Sequence, residues 1–210
     1  MNIAVHLSSH LRGMDHPKAL ENHLPPAGRG RFSIAQIFLR TDECKRKDGQ
    51  HEGAMIDYNQ ILPNLYVGTY PQNAEDIQEL KDRWGVTAVL NLQTDEDLSE
   101  RNMDWQAMEG MYKKLGMEIC RVPMRDFDYE HQRQHLPEAV RVLAGLLASG
   151  HVTYLHCNAG VGRSPLVAMG YLYWCRNLGF KKAVQHVRQR RDCAPYEDLL
   201  EVSLRKSPRR

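Results

Sequence analysis

Between His156 and Pro165 the chain reads HCNAGVGRSP, and those residue types define a chemistry before any fold is considered. Cys157 stands six residues before Arg163, with Gly160 and Gly162 between them and Ser164 directly after. The apolar stretch Val152 to Leu155 precedes the decapeptide and an apolar-periodic segment follows it, so the loop joins a strand to a helix. Such a loop aims several backbone N–H groups at one point, and the helix dipole adds positive potential there. The two glycines permit the backbone angles needed to curl amides around an oxyanion. The backbone of Asn158, Ala159, Gly160, Val161 and Gly162 is therefore expected to bind phosphate, with Arg163 forking two hydrogen bonds onto its oxygens. Cys157 lies at the base of that cradle, where the same potential favours thiolate over thiol and makes the sulfur a nucleophile toward phosphorus. A buried structural cysteine beside a turn is the alternative, and the spacing of Cys, Gly, Gly and Arg argues against it. An ATP-binding loop is excluded, because the pattern G-x-x-x-x-G-K-[ST] is missing.

Expelling an alkoxide from phosphorus requires a proton donor. The run Arg125-Asp126-Phe127-Asp128 offers two carboxyl groups just after an alternating, strand-like segment from Met117 to Val122. For Asp128 the competing role is that of a helix N-cap. His156 leaves the strand on the side opposite Cys157, so it is read as a structural histidine bracing the loop and not as a base.

The elements that must position these groups alternate. Ile61-Leu62 and Leu65 to Gly68 flank the turn Pro63-Asn64, which predicts two short strands. Asn73 caps a predicted helix through Lys81, with Glu75 and Asp76 in its first turn. Val86 to Leu92 reads as a buried strand, Asp104 to Leu115 as a helix, and Leu136 to Leu147 as a second helix with Pro137 near its start and Gly150 at its close. After the strand ending at His156 come helices over about 163–177 and 181–191. This order predicts an α/β fold with a central, mostly parallel twisted sheet and helices on both faces. The basic run Val187 to Arg191 is read as a solvated helix face with one arginine used internally; contact with a phosphoinositide is the other reading.

The totals bound the alternatives. A chain of 210 residues, 42% hydrophobic and 26% charged, can bury a core, and a net charge of +2 is too mild to make nucleic acid the expected partner. No apolar run reaches the 18 or so residues of a membrane span. Five widely spaced cysteines, Cys44, Cys120, Cys157, Cys175 and Cys193, form no C-x-x-C pair, which points to a reducing, intracellular compartment with free thiols. Residues 1–55 read as an N-terminal extension, flexible or partly docked through the apolar burst Phe32 to Leu39. Their start lacks the order of a secretory signal, and an ordinary extension is expected over an organelle transit peptide. Residues 56–204 form the expected catalytic domain, and 205–210 a basic tail.

Cys-x5-Arg-Ser, present as Cys157, Arg163 and Ser164, resembles the signature of the cysteine-dependent phosphatases, and the stretch from His156 to Ser164 resembles the loop of their dual-specificity branch. The resemblance implies the dual-specificity protein-tyrosine-phosphatase-like fold. It further implies a phosphocysteine intermediate with Ser164 easing departure of the thiolate, and neither metal nor cofactor. In that family the acid lies at about the separation seen here between Asp126 and Cys157, which favours Asp126 over Asp128. Gly162 before the arginine, where protein-directed members usually carry serine, is similar to the glucan phosphatases, the group of laforin and the plant starch-excess enzymes. Matches at Tyr58, Leu65 to Gly68, Glu75 to Ile77, Val89 to Gln93, Asp95, Asp97, Arg125 to Asp128, Arg191, Cys193 and Pro195 extend that similarity over about residues 57–200. Phosphorylated α-glucan is the partner this implies, with a phosphoprotein or phosphoinositide as the alternative. Phe127 and Tyr58 match positions that the plant enzymes use as sugar platforms. Where those enzymes carry an aromatic pair, this chain has Glu100-Arg101, which leaves Trp105 and Tyr129 as candidate replacements. Cytoplasm and plastid are the compartments the resemblance implies; oligomeric state has no sequence signal.

Overall fold

The computed structural model describes residues 56–203. The predicted extension, including Cys44 and the apolar burst at 32–39, and the basic tail lie outside the described residues. Strands β1 (Tyr58–Leu62) and β2 (Leu65–Gly68) form the expected hairpin around Pro63-Asn64. They are followed by α1 (Ala74–Trp84), β3 (Ala88–Asn91), α2 (Asp95–Glu100), α3 (Trp105–Lys114), β4 (Glu118–Arg121), α4 (Tyr129–Ala148) and β5 (Thr153–His156). Helix α5 (Arg163–Gly170) runs directly into a π-helical turn, Tyr171–Cys175, and α6 (Phe180–Arg188) and α7 (Leu199–Val202) complete the order. The sheet has the order β1-β2-β5-β3-β4, antiparallel only between β1 and β2. Among the described residues, no helix is long and apolar enough to cross a membrane.

Alternation along the strands builds two apolar layers, because successive side chains leave opposite faces. Leu65, Val67, Ala88, Leu90 and Leu155 pack on one side with α4, α5 and α6. Tyr66, Val89 and Tyr154 pack on the other with Ile77 and Leu80 of α1 and Met108 and Tyr112 of α3. Each fully buried Val or Leu contributes about 2 kcal/mol relative to exposure. The central strand β5 is covered on both faces, so its C-terminal end emerges from the middle of the sheet.

Helix ends follow local chemistry. Asn73 accepts the Asp76 N–H at 2.8 Å, Asp104 accepts those of Gln106 and Ala107, and α1 ends at Gly85 with φ of 64°. Helix α4 departs from the sequence reading. It starts two turns before Leu136, at an N-cap formed by Asp128, whose Oδ1 accepts the His131 N–H at 2.9 Å. Pro137 therefore sits inside the helix, where it has no N–H to give the Arg133 carbonyl. The Ser203 hydroxyl donates to that carbonyl instead, at 3.3 Å. Helix α2, absent from the sequence reading, is closed by a reciprocal cap: Thr94 Oγ1 accepts the Asp97 N–H and Asp97 Oδ2 accepts the Thr94 N–H.

Candidate active site

Three segments meet at the C-terminal end of β5: the loop 157–162, the N-terminus of α5, and the loop 123–128 between β4 and α4, which Arg163 contacts through Met124 and Asp126. Cys157 continues the alternation of β5 onto the α4 side and is buried. Its Sγ lies 3.4 Å from Ser164 Oγ. Burial pushes the thiol of Cys120 up to about 12 and that of Cys175 to about 11, and raises Cys193 as well, so these three are held as thiols.

Arg163 is wholly buried yet makes strong contacts at two of its three nitrogens. Nη1 donates to Asp97 Oδ2 at 2.6 Å and to the Met124 carbonyl at 2.7 Å, and Nη2 donates to Asp126 Oδ2 at 2.9 Å. Its Nε is buried without a partner. An unmet guanidinium donor next to Nη2 is the edge that bidentate recognition of an oxyanion uses. Asp97 joins this arginine to the loop, because its Oδ1 accepts the Asn158 side-chain N–H at 2.5 Å, and Gln93 donates to Asn158 Oδ1 at 2.8 Å. Burial acts to raise the Asp97 carboxyl, but the hydrogen bonds from Arg163, the Thr94 N–H and Asn158 outweigh it and hold the group below the ordinary carboxylate range. The sequence carried no role for Asp97 or Gln93 in this site. The match of both positions to the glucan phosphatases and the cap pattern Thr94-x-x-Asp97 were the available signals, and the cap reports only one of the two jobs that the Asp97 carboxylate does.

The loop 123–128 is anchored through Met124 and Arg125: Met124 N donates to the Leu92 carbonyl at 3.0 Å, Arg125 N to His131 Nδ1 at 3.2 Å, and Gln132 Nε2 to the Arg125 carbonyl at 3.1 Å. Its tip projects. Phe127 has a positive φ of 54° and is 87% exposed, and Asp126 lies beside it, on Arg163. Asp128 is taken up by the cap of α4. His156 is fully buried with Nδ1 on the Cys157 carbonyl at 3.2 Å, and burial lowers its pKa to about 4, so it is neutral.

The four aromatic side chains singled out in the sequence fall in two places. Phe127 and Tyr129 are exposed, and Tyr129 stands edge-on to Tyr196 with ring centroids 5.4 Å apart and bonds through its hydroxyl to Asp198. Tyr58 and Trp105 instead pack on the second apolar layer: Tyr58 is edge-on to Trp84 at 5.7 Å, and Trp105 lies under the Arg121 guanidinium. The Glu100-Arg101 departure becomes a cation over a ring, with the Arg101 guanidinium 5.6 Å from the centroid of Tyr70. The arginine of the basic run that turns inward is Arg191, which is buried against the loop 157–162.

Comparison with known proteins supplies an independent measure. The family model described as "Dual specificity phosphatase, catalytic domain" matches residues 65–203. Laforin of Mus musculus is 35% identical over 146 residues, covering 65% of this chain and 44% of laforin. The Castanea sativa protein named "Phosphoglucan phosphatase DSP4, amyloplastic" is 33% identical over 147 residues, covering 69% of this chain and 39% of that protein. The chain thus spans less than half the length of these curated relatives. Among solved structures, PTPMT1 superposes with a TM-score of 0.57 at 21% identity, over 70% of this chain and 90% of that one, which speaks to the fold.

Proposed function

The chain belongs to the dual specificity phosphatase catalytic-domain family, and from that premise we propose that it removes phosphate from phosphorylated α-glucan in two steps through Cys157. In the first step the Cys157 thiolate attacks phosphorus, an S–P bond forms, the ester P–O bond breaks, and Asp126 gives its proton to the departing oxygen. In the second, water attacks phosphorus while the Asp126 carboxylate takes its proton. The S–P bond then breaks with its electron pair returning to sulfur, and inorganic phosphate leaves. Ser164, 3.4 Å from the sulfur, donates a hydrogen bond to the leaving thiolate. The observation that carries the phosphate reading is Arg163: its unpartnered Nε and its Nη2 form one edge, and a phosphate there takes over the bond now made to Asp126, which frees that carboxyl to face the ester oxygen.

The substrate reading rests on the rim. Phe127, Val161, Tyr129 and Tyr196 are the exposed large apolar side chains among the described residues; Phe127 and Val161 stand on the two loops of the site, Tyr129 directly follows the loop 123–128, and Tyr196 packs edge-on against Tyr129. An aromatic face left in water beside a polar site suits a ligand with a flat apolar face and hydroxyl edges, which describes a glucose ring. DSP4, a third identical over the shared region, is named a phosphoglucan phosphatase. Tyr58 and Trp105 are left out of this rim, while Tyr196 is added to it. The proposed domain comprises residues 56–204. The four described cysteines are free, which supports a reducing compartment, cytoplasm or plastid.

The test compares initial rates of phosphate release from solubilised amylopectin, a phosphotyrosine peptide and an inositol phospholipid. The glucan is expected to turn over fastest per phosphate. Fast release from peptide or lipid with none from glucan would overturn the substrate and leave the chemistry standing.

A further inference from the structure

The amides of the loop 157–162 can bind an oxyanion only if they face it together, and the means by which they do so lies behind the loop. A trans peptide is planar, so fixing the carbonyl of one residue outward turns the N–H of the next residue inward. Each carbonyl in turn has a donor on the outside. Cys157 O is met by His156 Nδ1 at 3.2 Å, Asn158 O by Tyr70 N at 3.2 Å, Ala159 O by Arg191 Nη2 at 3.1 Å, and Gly160 O by Arg191 Nε at 2.5 Å. Val161 O is met by Ala194 N at 3.0 Å and Gly162 O by Leu166 N at 3.2 Å. Among the described residues, none of the N–H groups of 158–162 is spent on another acceptor.

Arg191 supplies two of these six donors, and it alone does so with a side chain drawn from a distant segment. The rest of its guanidinium is tethered to β1 and the residue before it: Nη1 donates to Asn59 Oδ1 at 2.9 Å and Nη2 to Asp57 Oδ2 at 3.0 Å. The fit is close. A Cβ on Gly160, which has φ of 68°, would lie within 2.6 Å of the Gly68 carbonyl and 2.5 Å of Arg191 Nη2. Glycine is thus required by the clamp as well as by the turn.

We propose that Arg191, held by Asp57 and Asn59, is a positioning residue that aims the phosphate-binding amides, so that Asn59 of β1 and Asp57 just before it contribute to oxyanion affinity without touching the oxyanion. This rests on the phosphatase reading of the site and is independent of which ester is cleaved. An ammonium cannot span two adjacent carbonyls and two side-chain acceptors, so lysine should replace arginine only in part.

The test uses the full chain with p-nitrophenyl phosphate and vanadate, at a temperature where thermal unfolding shows each variant to be folded. For Arg191→Met, vanadate affinity should weaken and KM rise by about tenfold or more, with a smaller change in kcat, and Arg191→Lys should recover part of that loss. A folded Arg191→Met with a lowered melting temperature but vanadate affinity and KM within about twofold of the unmodified chain would overturn the proposal, because a merely structural arginine would behave in that way. Should Arg191→Met fail to fold, the double variant Asp57→Ala, Asn59→Ala decides. About threefold weaker vanadate binding is expected, and unchanged binding overturns the clamp. Absence of aryl phosphate turnover in the unmodified chain would instead count against the phosphatase reading, while its vanadate affinity would still report on the loop.

Discussion

The loop 157–162 and the loop 123–128 meet at Arg163 and are built in different ways. The first has every carbonyl bound from behind and leads into Arg163 of α5, which is fully buried. The second is held through Met124, Arg125 and Asp128, while its tip puts Phe127 in water and Asp126 against the arginine. A rigid frame for the phosphate and an open tip for the proton donor suit a reaction in which the phosphoryl group is constant while the leaving group varies. In the proposed reaction, binding is fixed in advance, whereas proton delivery waits on an exchange of partners at Arg163.

The difference can be broken most severely at its sulfur. Cys157→Ser should reduce turnover by at least about 10⁴-fold while leaving affinity for inorganic phosphate within a few-fold, since the frame is intact; residual activity near that of the unmodified chain would remove Cys157 as nucleophile. On the other loop, Asp126→Asn should slow esters with poor leaving groups about 10²- to 10³-fold and aryl phosphates far less. Equal losses on both would show that the loop matters for shape alone. Asp128→Ala, by contrast, should cost about 1 kcal/mol of stability through its cap and leave that leaving-group pattern unchanged.

A smaller effect sharpens the rigid side. His156 is neutral in the fold, with its pKa lowered by burial to about 4 against about 6.5 in an unfolded chain. The unfolded chain therefore takes up the proton first. Stability from this group is complete above about pH 6.5 and falls by about 3 kcal/mol as pH drops toward 4. Denaturant titrations at pH 7 and pH 4.5 should show this slope, and His156→Phe should flatten it. Least in size, Phe127→Ala should weaken glucan turnover about tenfold at subsaturating substrate and leave p-nitrophenyl phosphate within about twofold. A parallel loss on both substrates would move Phe127 from the rim to the fold of the loop.

The same division governs what could be read from the chain. The phosphate loop was legible because its cysteine, glycines and arginine are neighbours in sequence, and the strands because their alternation records which face each residue takes. Asp97 and Arg191 were not legible as parts of the site, since each acts on residues 31 or more positions away and nothing local distinguishes a capping aspartate or one arginine in a basic run. The early start of α4 was hidden by Pro137, which reads as a first-turn residue unless a donor from another segment is known to meet the carbonyl it strands. For Tyr58, a matched position, and Trp105, a candidate replacement, the aromatic type is legible, but how much of each ring reaches solvent depends on neighbours such as Trp84 and Arg121, against which both are partly buried.

That stranded carbonyl also sets where the domain can be cut. With Ser203 gone, the half-buried Arg133 carbonyl would lose the hydroxyl that stands in for the N–H missing from Pro137. A recombinant piece stopped at 202 should then be more protease-sensitive than one stopped at 204, by the worth of a single hydroxyl.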